Sequence, residues 1–421
     1  MKLLKQASMW SLSVAVISLA ACGGKDGSTA VTSTATLIAA VTELGQADFI
    51  HGQANQGNPA VASATSMDTP LGGVALNPVA AGPDLYVADT VNNRVLVYTT
   101  LPAPNTSGNN AAATGFIGQG ASATTNDPAT TLNGLAFPSK VTIGDGGQLV
   151  VTDTGNNRVL IWNTLPADGT VAPNVVIGQA SFTTKDAPNP PTASSLNGPR
   201  SAMIRDGQLI VADTNNNRVL IWKPVPTTNG AAATQVLGQA TATTNTLVVT
   251  PTQSSLRAPS DVWTDGFNLL IADSGTSRVL YWFPFPQTDN AAASHVIGQP
   301  SFIAANTAGS TSQSLFKGPK GIYSDGTRVF VADTGNNRVL IFNQFPGQDG
   351  IPADAVLGQE DYSHSTANDD NGASTGPQDS SPEAAPTQRT LSGPAGVAYS
   401  EVNKVLYVTD SNNHRVMGFA E

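Results

Sequence analysis

The sequence predicts an all-β protein, a six-bladed β-propeller of four-stranded antiparallel blades in which the N-terminal strand completes the last blade. Three observations predict it. A strand–turn–strand segment carrying an Asp and, five residues later, an Arg occurs six times without a gap: LYVADTVNNRVLVY, LVVTDTGNNRVLIW, LIVADTNNNRVLIW, LLIADSGTSRVLYW, VFVADTGNNRVLIF and LYVTDSNNHRVMGF. An apolar residue followed by Gly-Gln also occurs six times at corresponding positions, ending at Gln46, Gln119, Gln179, Gln239, Gln299 and Gln359. The chain ends after the third strand of its sixth unit, whereas an extra Gly-Gln strand, IAAVTELGQADF, precedes the first unit. Self-similarity at a fixed period marks a repeat fold. Pairing the surplus strand with the incomplete unit leaves no open sheet edge.

Each unit reads as four strands. A segment such as PRSAMIRD passes through a Gly-containing turn into GQLIVADT, then NRVLIWKPVP, then ATQVLGQ. Asp-Gly pairs at Asp145, Asp206, Asp265 and Asp325 suit tight hairpins between the first two strands. The second and third strands are almost continuously apolar, as expected of sheets covered on both faces. Pro102, Pro166, Pro226, Pro286 and Pro346 fall where the third strand should stop. Composition agrees: 40 Gly, 28 Pro and 12 % charged residues among 421 favour short strands and turns over long surface helices. The net charge of −10 disfavours a nucleic-acid partner, because phosphate affinity rests on Lys and Arg.

The first 21 residues read as a processing segment, with Lys2 and Lys5 before an apolar run, Met9 to Ala21, too short to span a bilayer. Leu19-Ala20-Ala21-Cys22 resembles the bacterial lipobox, which implies cleavage before Cys22 and lipidation of its thiol, palmitate included. Cys22 is the sole cysteine, so no disulfide can form and a lone buried thiol is the only competing use. Several acyl chains, at about 0.8 kcal/mol per buried methylene, anchor a protein stably. Gly23 stands where, in such lipoproteins of Gram-negative bacteria, Asp favours retention at the inner membrane, so the outer membrane is expected. Residues 22–36 read as the lipidated Cys and a flexible tether, and residues 37–421 as the propeller, with an insertion at about 361–390 rich in Ser, Asp and Pro.

The repeated segments resemble NHL repeats, a family of six-bladed propellers. The fourth copy departs, with Thr276 and Ser277 in place of paired asparagines, and the sixth carries Asn412, Asn413 and then His414 before its arginine. The aspartates (Asp89, Asp153, Asp213, Asp273, Asp333, Asp410) and arginines (Arg94, Arg158, Arg218, Arg278, Arg338, Arg415) read as structural. A short carboxylate accepts turn N–H groups, and a guanidinium fork pairs with a carboxylate. A device present in every blade holds blade geometry, whereas a site is asymmetric. The same logic makes Tyr98, Trp162, Trp222, Trp282, Phe342 and Phe419 inter-blade packing, and the Gly-Gln pairs structural.

Function is therefore expected in the variable loops and at the channel mouth. No Gly-x-Ser-x-Gly, His-Glu-x-x-His, phosphate-binding loop or cysteine pair is present. The zinc-dependent amidating lyases that share the propeller shape use a histidine cluster at the channel. By that resemblance His51, His364 and His414, with Asp361 or Asp48, could hold a divalent metal, Ca or Zn; solvated loop histidines are the competing reading. A second pattern is basic. Lys140, Arg200, Arg257, Lys317 and Lys320 flank the prolines that open the innermost strands, with Asp261 among them. They either form a positive funnel for an anionic glycan, lipid or protein group, or neutralise nearby carboxylates. The expected function is an envelope lipoprotein presenting a binding scaffold to a protein or anionic glycan; the alternative is a metal-dependent propeller hydrolase or lyase.

Overall fold

The computed structural model describes residues 38–78, 84–101, 110–120, 122–305, 311–369 and 386–420. The leader 1–21, Cys22 and its tether, Pro102, and residues 370–385 of the expected insertion lie outside them. The described residues form six four-stranded antiparallel sheets. Blade one comprises Val74–Leu76, Leu85–Asp89, Arg94–Tyr98 and Gly115–Ile117. Blades two to five repeat this order, and each is completed from within its own unit. Blade six comprises Pro394–Ser400, Val405–Asp410 and Arg415–Ala420, and its fourth strand is Thr42–Leu44 from the other end of the chain. That strand pairs Thr42 with Gly418 and Leu44 with Val416, which closes the ring as the offset motifs predict.

Six apolar clusters hold the blades together, and each spans two neighbours. One joins Ile210 and Ile221 of blade three to Leu269 and Trp282 of blade four; another joins Leu44 and Tyr407 of blade six to Leu85 and Val87 of blade one. This is why the second and third strands lack polar/apolar alternation: both faces of each sheet are interior. The aromatic that ends each third strand is buried, and Trp162, Trp222 and Trp282 each donate their indole N–H to a carbonyl nine residues on, at 2.9–3.0 Å.

The Asp–Arg turns crowd one face of the ring, here the upper face. In blade three, Arg218 Nε donates to Asp213 Oδ2 at 2.7 Å, and Nη2 donates to the carbonyls of Thr192 and Ser195 at 2.9 Å each. Nη1 donates to the Ala242 carbonyl. The other Asp213 oxygen accepts the Asn197 backbone N–H at 2.7 Å. The same set recurs in all six blades, so each arginine ties its turn to the loop entering its blade and to the loop leaving the fourth strand. Burial pushes the carboxyls of Asp89, Asp153, Asp213, Asp273 and Asp333 upward, against the opposing pull of the paired arginine.

The asparagine pair has two separate jobs. The first donates to the blade's own aspartate, as Asn216 does to Asp213 at 2.9 Å. The second adopts the left-handed conformation that Asn tolerates, and its side chain accepts a backbone N–H from the next blade, as Asn217 does from Ala258 at 2.9 Å. The departures seen in sequence keep both jobs. Thr276 donates to Asp273, and Ser277 accepts from Gly318 at 3.1 Å. In blade six Asn413 donates to Asp410 at 2.7 Å, and His414 Nδ1 stands 3.0 Å from the Thr69 N–H of blade one.

A third staple passed unnoticed in the sequence. The residue after each aspartate, Thr90, Thr154, Thr214, Ser274, Thr334 or Ser411, donates its hydroxyl to the carbonyl of the proline opening the next blade. Its signal was available: all six are Thr or Ser.

Candidate functional site

The channel mouth on the upper face is built from the two residues after each opening proline. At the first position stand Leu71, Ser139, Arg200, Ser260, Lys320 and Ala395; at the second stand Gly72, Lys140, Ser201, Asp261, Gly321 and Gly396. In blades two, four and six the first of these residues bulges out of the pairing, at Pro138/Lys140, Pro259/Asp261 and Pro394/Gly396, and blade six then presents only a glycine. A bulge re-aims the side chain that follows it.

The re-aimed pair meets across the axis. Lys140 Nζ of blade two donates to Asp261 Oδ2 of blade four at 2.9 Å, and both side chains are nearly buried. Asp261 is saturated: Ser201 Oγ donates to Oδ1 at 2.6 Å and the Ile322 N–H to Oδ2 at 2.8 Å. Lys140 therefore belongs to an internal cross-tie, the neutralising role weighed for this cluster.

Arg200 and Lys320 differ. They occupy the same repeat position in blades three and five and line, with Lys140 and Asp261, a cavity of about 180 Å³ above the cross-tie. Both side chains are solvent-exposed, yet neither has an ion-pair partner among the described residues. The concave wall strips part of the hydration from each and lowers both basic groups; Lys320 is lowered further by the charge of Arg200. Two like charges thus share the mouth without a counter-charge among the described residues.

Arg257 and Lys317 do not join them. They lie two residues before their prolines, where their backbone N–H groups serve Asp273 and Asp333 at 2.6 and 2.7 Å. Their stems cover the turn glycines Gly275 and Gly335, where an added Cβ would meet Cγ of each at 2.6 and 2.8 Å. Of the basic residues expected at the mouth, three line it and two sit over their own blades' turns.

The histidines do not converge. His51 Nδ1 stands 2.5 Å from Asp48, His364 Nδ1 2.6 Å from Asp361, and His414 Nδ1 3.1 Å from Asp68. Among the described residues no group of three or more His, Cys, Asp or Glu is placed to hold a metal. The physical reason is the repeat itself. Asp48 and Asp361 occupy one repeat position, two residues after Gly-Gln, where each carboxylate accepts a backbone N–H two residues on, at 3.0 and 2.7 Å. Each neighbouring histidine is set by that turn, a blade apart from the other, while His414 is committed to the clamp on blade one.

One buried carboxylate escaped the sequence reading. Glu43 lies on the closing strand opposite Met417, at the position held by Phe116, Val176, Val236, Val296 and Val356 in the other blades. It is fully buried 3.3 Å from Arg415, and its second oxygen has no hydrogen-bond partner. Burial, opposed by Arg415 and reinforced by Asp410 and Asp48, pushes its carboxyl up to about 7.

The NHL repeat family matches the chain at residues 135–162 and 391–419, the first three strands of blades two and six with their entry loops. No curated protein sequence matches it. Among solved structures, an auxiliary nutrient binding protein from Bacteroides ovatus ATCC 8483 superposes with a TM-score of 0.50 at 12 % identity, covering 88 % of this chain and 75 % of that one. A second, from Bacteroides thetaiotaomicron VPI-5482, gives 0.47 at 11 %, covering 89 % and 76 %. Virginiamycin B lyase from Staphylococcus aureus gives 0.42 at 11 %, covering 86 % and 98 %. At such identities the likeness concerns fold alone. With the repeat matched in two blades and the same Asp–Arg framework built in all six, the chain is a six-bladed β-propeller that carries NHL repeats at residues 135–162 and 391–419.

Proposed function

We propose that the protein is a binding scaffold of the bacterial cell envelope, anchored through Cys22, whose upper channel mouth takes an anionic group of a protein or glycan. The observation that carries this reading is the pair Arg200 and Lys320, which face one cavity with no carboxylate partner among the described residues. On a chain of net charge −10, leaving two cations unpaired in a concave wall focuses a positive field there. The guanidinium can grip a carboxylate or phosphate with two parallel bonds, and the ammonium adds a point charge. The neighbour from Bacteroides ovatus, a nutrient binding protein, is a case of this fold used for binding.

The closing strand supports the orientation. Thr42–Leu44 runs antiparallel to Arg415–Ala420, hence toward the upper face. Thr42 therefore lies at the end of the blade away from the mouth, which supports an anchor on the opposite side.

The test is titration of inorganic phosphate into the purified protein at low ionic strength, followed by calorimetry. Wild type is expected to bind saturably, with an affinity that falls as salt rises. Arg200→Glu combined with Lys320→Glu should abolish the heat; an unchanged affinity would sink the reading.

A further inference from the structure

Below the Lys140–Asp261 cross-tie the channel opens into a second cavity of about 300 Å³, which reaches the lower face. Its wall departs from sixfold symmetry. One register position of the innermost strands, aligned through its pairing to the second strands, holds Ala75, Thr142, Met203, Trp263, Tyr323 and Ala398 in blades one to six. All six line the cavity. Three consecutive blades supply a large side chain, two of them aromatic, and the other three supply a small one. A position that only maintained blade geometry would hold similar residues throughout, as the Asp and Arg positions do. At this position the lining is therefore lopsided, large in blades three to five and small in blades six, one and two.

The charges around the cavity are already matched. Lys140 in its roof is paired with Asp261 at 2.9 Å. Arg205 at its rim reaches Asp145 at 2.5 Å, and Glu401 reaches Lys404 at 2.8 Å. No lining charge is left to receive a counter-ion, in contrast to the upper mouth. A largely apolar concave pocket of this size suits a small molecule, and its walls set the class. We infer that the lower cavity is a second binding site, independent of the upper mouth, for an uncharged planar aromatic molecule of about two fused rings, received between the Met203–Trp263–Tyr323 wall and the Ala75–Thr142–Ala398 wall.

The test uses the neutral naphthalene dye prodan with the intact propeller. Its emission is expected to shift to the blue and to saturate at one dye per chain, and saturating dye should raise the Tm of the wild type. Thr142→Phe fills the cavity from its small-residue side and should weaken binding at least tenfold. Trp263→Leu keeps an apolar wall but removes the flat ring, and should weaken binding as well. Arg200→Glu with Lys320→Glu should leave dye binding unchanged, which separates this site from the upper one. The inference is overturned by the absence of a saturable shift and Tm rise in the wild type. It is equally overturned if both cavity variants bind as wild type, or if the upper-mouth charge reversal abolishes dye binding.

Discussion

Replacing Arg218 by methionine is expected to destabilise the propeller by about 3–5 kcal/mol, the cost of stripping one partner from a buried ion pair. The guanidinium is wholly buried and makes bonds to Asp213, Thr192, Ser195 and Ala242. Methionine fills much of the volume but satisfies none of them. It leaves the Asp213 carboxylate with only the Asn197 N–H and the Asn216 amide, and it takes the guanidinium away from the carbonyls of Thr192, Ser195 and Ala242. Arg218→Lys should be nearly as harmful, because an ammonium cannot reach four acceptors spread over two loops. Denaturant unfolding of the two variants beside wild type measures the loss. A change below about 0.5 kcal/mol, the size of an ordinary surface substitution, would mean that the pair does not hold the blade.

Glu43→Val is expected to act in the opposite direction and to change the response to pH. The folded-state carboxyl is raised from its ordinary value of 4.5 to about 7, so between these values the folded protein holds a proton that the unfolded chain lacks. Stability from this group is therefore present at low pH and lost as pH rises from about 4.5 to about 7, at most about 3 kcal/mol in all. Valine, which four other blades carry here, removes that loss. Denaturation midpoints at pH 5 and pH 8 should differ less in the variant, which should also be the more stable protein at pH 8. Equal pH slopes in variant and wild type would contradict the burial argument.

The architecture was legible because it rests on local, repeated chemistry. Asp and Arg lie five residues apart, the Gly-Gln strand recurs at a fixed spacing, and the surplus strand at one end matches the deficit at the other. The details that failed to show depend on contacts distant in sequence. His414 looks like a candidate ligand until its Nδ1 is found against Thr69, which precedes it by 345 residues. Lys140 looks free until it meets Asp261, 121 residues on and two blades away. Whether a basic residue beside an opening proline faces the channel depends on its offset. The residue after the proline faces the mouth, as in Arg200 and Lys320, whereas the residue two before it covers a turn, as in Arg257 and Lys317. The lopsided lower cavity was hidden because the hairpins between first and second strands differ in length. Ala75 lies 14 residues before its aspartate and Met203 only 10, so a gapless alignment on the Asp never places them together.

The central claim is that Arg200 and Lys320 are cations sharing one cavity with no ion-pair partner among the described residues. The most direct measurement is the titration of the Lys320 ammonium by NMR with lysine side chains isotopically labelled, in wild type and in Arg200→Ala. The account predicts a pKa below that of an ordinary lysine, rising when Arg200 is removed and rising in wild type when phosphate is added. A Lys320 that titrates as an ordinary lysine, and is indifferent to both changes, would contradict it.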